Sequence, residues 1–123
     1  MKPCFFRLYR ELLLFRLFYL YVSCFRCAFR PPPKLRLARL TLEGCGTIHP
    51  DFTVLNVPHR KTLYWEHLGM MDVPEYAESA VSRIGHYIRN NIIPGDELIL
   101  TYETKAIPLH TLHVEKLIKH YLF

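Results

Sequence analysis

The sequence predicts a small α/β domain, a mixed β-sheet flanked by helices and preceded by a basic, aromatic N-terminal helix. Three observations carry the prediction. Two β-rich segments, residues 51–57 (DFTVLNV) and 62–67 (TLYWEH), bracket a polar loop and make a hairpin. Apolar residues then recur at steps of three and four over residues 77–88, the period of a helix. A buried-strand pattern at residues 97–102 (ELILTY) and a last helical pattern follow, giving the order β-β-α-β-α. Strand, helix, strand implies a right-handed crossover within one sheet.

Charge divides the chain. Residues 1–40 hold nine Lys/Arg and one acid, whereas residues 41–123 hold seven Lys/Arg and ten acids. The chain is therefore not one uniformly basic nucleic-acid binder, but a basic segment joined to a mildly acidic part. With half its residues apolar it has enough for a core, which argues against disorder. Four Cys in 123 residues make no dense disulfide framework, and the setting they suggest is the reducing cytoplasm.

The N-terminal segment contains no spanning helix. Its longest charge-free run, Leu17 to Phe25, is nine residues, and a bilayer needs about 20. Arg16 also interrupts any signal-peptide core. Three readings fit residues 1–30: a basic aromatic helix lying on a membrane surface, a helix packed on the rest of the chain, or a leader foreign to the domain. Pro31-Pro32-Pro33 removes three backbone donors and ends any helix. The expected division is thus residues 1–33, a hydrophobic segment with its Pro linker, and residues 34–123, the α/β domain. Residues 34–40 (KLRLARL) alternate in a strand-like way.

Each later element has its own signal. Gly44 and Gly46 mark a turn before the first hairpin strand. Asn56 to Lys61 form the hairpin loop. Asp72 and Glu75 make a capping-box arrangement, with Pro74 in the first turn of a helix. The expected apolar stripe is Ala77, Ala80, Val81, Ile84, Tyr87 and Ile88, ending at Asn90-Asn91. Pro94-Gly95-Asp96 turns the chain into the next strand. Thr111 is expected to cap the last helix, whose apolar face is Val114, Leu117, Ile118 and Tyr121.

Two carboxylates stand out. Asp51 opens one hairpin strand and Glu66 sits near the end of its partner, beside Trp65 and Tyr64. An acid in that setting is costly unless solvated, paired or bound to metal. Neighbours across an antiparallel hairpin bring two carboxylates within reach of one ion, and oxygen donors suit Mg²⁺. Pairing with Arg60, Lys61 or Arg83 is the plainer alternative. Cys24 and Cys27 form a lone CxxC without a second ligand pair, and His110 and His113 lack an evident third ligand. No Walker loop, GxGxxG or GxSxG is present, so nucleotide-loop and serine-hydrolase chemistry have no support.

Pro50-Asp51-Phe52, the hairpin, and Tyr64-Trp65-Glu66-His67-Leu68-Gly69 together resemble the PD-(D/E)XK, or restriction-endonuclease-like, nuclease fold. The likeness is closer to bacterial proteins of that class that carry PDFTVLN, YWEHLGMMD, PEYA, a PG turn and LILTYET. It spans residues 44–122, and related PDF…EHFG segments occur in nuclease-like regions attached to DNA helicases. The resemblance implies that Asp51 and Glu66 are the catalytic, metal-binding acids and that the His67 backbone carbonyl is a further ligand. It also implies Mg²⁺ or Mn²⁺ as cofactor, DNA as partner, and hydrolysis of a phosphodiester as the reaction. Two residues after Glu66, where the class usually carries Lys, stands Leu68. A migrated cation would then fill the role, with Arg83 as one candidate and the His67 side chain as another. Arg60 and Lys61 are candidate contacts to the phosphate backbone. The first helix and strand usual for the class have no counterpart in residues 1–40, so the domain is expected to be an incomplete, C-terminal part of that fold. A catalytically inactive remnant that keeps only DNA or protein binding is the alternative expectation.

Overall fold

A computed structural model describes residues 34–36 and 39–123. The expected N-terminal helix, its membrane-surface role and the CxxC pair lie outside the described residues. The strands are β1 (Lys34–Arg36), β2 (Leu40–Leu42), β3 (Gly46–Ile48), β4 (Phe52–Asn56), β5 (Lys61–Leu68) and β6 (Leu98–Tyr102). The helices are α1 (Pro74–Arg89), between β5 and β6, and α2 (Thr111–Leu122), after β6. The expected mixed sheet is present. Its order is β1-β4-β5-β6, with β5 antiparallel to β4 and parallel to β6. Among the described residues, no helix is long and apolar enough to cross a membrane.

Period-two alternation along β5 sends its side chains to opposite faces. Leu63 and Trp65 join Phe52, Val54 and Ile99 beneath Val114, Ile118 and Leu122 of α2, forming the larger apolar core. Phe52 meets Trp65 edge to face, with ring centroids 6.4 Å apart. Each such buried side chain contributes about 1.5–3 kcal/mol of transfer free energy. On the other face, Tyr64 and Leu98 pack with Tyr87 of α1 and with Leu42 of the small β2–β3 hairpin.

Four local expectations are corrected. The β2–β3 hairpin is a separate two-stranded sheet not expected from sequence. Its turn needs Gly44 and Gly46 at φ 76° and 80°, and each strand is only three residues long. Of residues 34–40, the assigned β1 segment is Lys34–Arg36, paired to β4. Helix α1 starts one residue later than a cap at Asp72 requires. The residue before a proline is driven to extended backbone, and Val73 takes φ −99°, ψ 115°, which makes it the cap with Pro74 as first helical residue. Finally, His110, not Thr111, caps α2, its side chain accepting the Leu112 N–H.

The apolar stripe of α1 is also rotated. Ala80 and Tyr87 are buried as expected, but Val81 and Ile88 are 64% and 47% exposed. The sheet-facing side of α1 carries Arg83 in their place, for a reason that lies on β5.

Candidate functional site

Glu66 occupies the centre of the sheet. The β4–β5 ladder pairs Phe52 with Trp65, so Asp51, one residue before β4, falls opposite Glu66 at the end of that ladder. The Asp51 carboxylate takes the place of a backbone partner there, with Oδ2 accepting the His67 N–H at 2.8 Å. Residues of β5 alternate in which neighbour their backbone addresses. Tyr64 and Leu68 bond toward β6, through Glu97 O and Glu103 N. The His67 N–H and carbonyl therefore face the β4 side, where Asp51 lies.

The Glu66 side chain points toward α1 and is 1% exposed. Two side chains one helical turn apart meet it. The Tyr87 hydroxyl donates to Oε1 at 2.7 Å, and Arg83 Nη1 donates to Oε2 at 3.2 Å. A carboxylate buried without partners costs several kcal/mol, so Glu66 dictates which residues α1 turns inward. This explains the rotated stripe: the helix faces the sheet with the residues that answer an acid, and Val81 and Ile88 go outside. Burial pushes the Tyr87 hydroxyl pKa upward, and the negative charges of Glu66 and Asp51 push it the same way. It therefore stays a donor. Thr53, two residues along β4, places its Oγ1 in the interior without a hydrogen-bond partner, a cost of about 1–3 kcal/mol.

The other face carries a second polar chain. The Trp65 indole N–H donates to Thr101 Oγ1 at 3.0 Å. Thr101 Oγ1 lies 3.0 Å from His67 Nδ1, and His67 Nε2 lies 3.2 Å from Glu103 Oε1. Glu103 Oε2 accepts the Leu109 N–H at 2.7 Å. Carboxylate, imidazole and hydroxyl stand in the order used by acyl-transfer enzymes. Thr101, however, is 3% exposed and already receives the indole N–H, so no substrate reaches it.

The structure thus brings Asp51, Glu66 and Arg83 together with the His67 backbone. It directs the His67 side chain away from them to the opposite face, and among the described residues Arg83 is a cation that meets the acid. Tyr87 is a member of the acid cluster that the sequence does not single out: hydropathy places it in the apolar stripe, and only a buried acid opposite flags its hydroxyl. Lys61 opens the far end of β5, five residues or about 17 Å from Glu66 at strand rise, and Arg60 precedes it. Arg60 takes a left-handed backbone with φ 52°, and Lys61 pairs with Asp96 at 3.0 Å, both ends more than half exposed. His110 and His113 rings lie 5.5 Å apart. Among the described residues, no group of three His, Cys, Asp or Glu side chains could hold a metal. The hard-oxygen set of Asp51, Glu66 and a backbone carbonyl is nevertheless of the type that suits Mg²⁺ or Mn²⁺. No family model, curated protein or solved structure matches the chain.

Proposed function

We propose that residues 34–123 form a PD-(D/E)XK-type, metal-dependent phosphodiesterase that acts on DNA in the cytoplasm. Asp51, Glu66 and the His67 carbonyl would hold Mg²⁺ or Mn²⁺, which when bound polarises the phosphate and makes water a stronger nucleophile. The observation that carries this reading is the Arg83 guanidinium at Glu66, 3.2 Å away, delivered from α1 where the strand offers only Leu68. Its role is to neutralise Glu66 and to steady negative charge growing on a phosphate. Tyr87 fixes the Glu66 carboxylate, and the His67 N–H fixes Asp51. Arg60 and Lys61 would touch the DNA backbone about five nucleotide steps from the reacting phosphate, at about 3.4 Å per step. Releasing Lys61 from Asp96 is cheap because exposed ion pairs contribute little.

Glu66 itself favours a second reading. An acid so fully buried, with a donor at each oxygen, also suits an inactive remnant in which Arg83 and Tyr87 merely anchor α1. Calorimetric titration of the full chain with Mg²⁺ and Mn²⁺ separates the two. The nuclease reading expects binding by the parent and loss in Asp51→Asn, followed by metal-dependent nicking of plasmid DNA. A parent that binds neither ion overturns it and leaves the remnant.

A further inference from the structure

We propose that Glu103 is the positioning residue of the acid site, acting through the His67 imidazole. The inference rests on the metal-site reading for its consequence, but not for its geometry. His67 belongs to both faces of the sheet. Its backbone N–H holds Asp51, while its ring lies on the α2 side. Beyond Phe52 the β4 strand has ended, so a side-chain carboxylate, not a backbone ladder, receives that N–H. The peptide that faces the acids therefore takes its orientation from what holds the rest of the residue.

Glu103 holds it from two directions. Its N–H donates to Leu68 O at 2.9 Å, and its carbonyl accepts the Met71 N–H at 3.2 Å, bracketing the end of β5. Its side chain reaches His67 Nε2 through Oε1 and is itself held by the Leu109 N–H at Oε2. With Thr101 at Nδ1, the ring is gripped at both nitrogens and has one orientation. The pair is buried, with side-chain exposures of 8% for His67 and 7% for Glu103.

The hydrogen bond to Glu103 also places one proton. A carboxylate only accepts, so the His67 Nε2–H donates to Glu103 Oε1. Glu103→Gln keeps the grip but inverts it. The amide oxygen stays with the Leu109 N–H, the amide NH₂ faces Nε2, and the hydrogen moves to Nδ1. The Thr101 hydroxyl, which already donates to the Glu66 carbonyl at 3.5 Å, leaves its oxygen to accept that Nδ1–H. Glu103→Ala removes the grip altogether.

The test is ¹⁵N NMR and amide hydrogen exchange on the full chain, beside Mg²⁺ calorimetry. The parent is expected to carry hydrogen on His67 Nε2, and Glu103→Gln to lack it and show the Nδ1–H tautomer with His67 amide exchange unchanged. Glu103→Ala is expected to speed His67 amide exchange about tenfold or more, and to weaken Mg²⁺ binding about 10–100-fold, the usual effect of losing a group that orients a ligand. Unchanged His67 exchange in Glu103→Ala overturns the proposal. So does a parent tautomer that Glu103→Gln leaves in place, a result readable even if the alanine variant does not fold. If the parent binds no Mg²⁺ but the tautomer and exchange respond as stated, the metal reading fails and the positioning of Asp51 by way of His67 stands.

Discussion

The two faces of the sheet solve different problems with the same strands. The α2 face is closed by shape, with Phe52, Val54, Leu63, Trp65 and Ile99 under Val114, Ile118 and Leu122. Its polar chain from Trp65 to Leu109 hands every bond to the next group. The α1 face adds a charged cluster to a smaller apolar core around Leu42, Tyr87 and Leu98. It buries Glu66, meets it with Arg83 and Tyr87, and leaves the Thr53 hydroxyl without a partner. Both faces bury an acid, Glu66 on one and Glu103 on the other, but among the described residues only the α1 face adds an unsatisfied hydroxyl, which gives up stability. The contrast separates the face with the larger apolar core from the face that sets Glu66 against Arg83 and Tyr87.

The largest effect belongs to the α2 face. Ile118, 1% exposed in the main cluster, is expected to cost about 3 kcal/mol when cut to Ala. That is a large share of the roughly 5–15 kcal/mol that holds a domain folded. Chemical denaturation measures it. Metal affinity, read below the melting point, is expected to stay at the parent value because the acids lie on the other face. A loss of both would mean that the faces are not separable.

A smaller loss, with a pH signature, is expected from Tyr87→Phe. Removing the hydroxyl that donates to Glu66 Oε1 costs about 1.5–3 kcal/mol at neutral pH, the range for a bond to a charged group. The Tyr87 pKa is raised on folding above its ordinary 10.0. Above that ordinary value the unfolded chain loses this proton while the folded chain keeps it, so stability falls as pH rises. The parent should lose stability more steeply above pH 10 than Tyr87→Phe. Parallel pH curves would remove Tyr87 from the cluster.

The same contrast explains what could be read in advance. The strands of the α2 face announce themselves, since Val54, Leu63, Trp65 and Ile99 follow ordinary alternation. The sheet and the β-β-α-β-α order were legible for that reason. That Asp51 falls opposite Glu66 was legible from hairpin pairing. The inward side of α1 was not. Hydropathy assigns Val81 and Ile88 to the core and Arg83 to water, and that order reverses only because Glu66 waits opposite. Arg83 could be nominated as a migrated cation, but Tyr87 looked merely apolar. The Thr101–His67–Glu103 chain depends on the parallel β5–β6 register, which sets His67 opposite Thr101 across 34 residues of sequence. No local pattern carries that information. The β2–β3 hairpin was missed because three-residue strands have too few positions to show a period.

The smallest expected effect tests whether chemistry on the α1 face extends to the far end of β5. Lys61 lies on the surface beside Asp96, whose hydrogen bond and charge raise the ammonium pKa above its ordinary value. What this pair adds to stability is present below the ordinary lysine range and fades as pH rises through the raised value. At neutral pH, Lys61→Ala is expected to leave the melting temperature unchanged within error, since exposed pairs are screened. DNA affinity should respond instead. If Lys61 leaves Asp96 for a phosphate, the variant binds more weakly across all sequences. The slope of log affinity against log salt then falls by about one. Titration of fluorescent duplex DNA at several salt concentrations gives that slope. An unaltered slope would remove Lys61 from the proposed DNA contact.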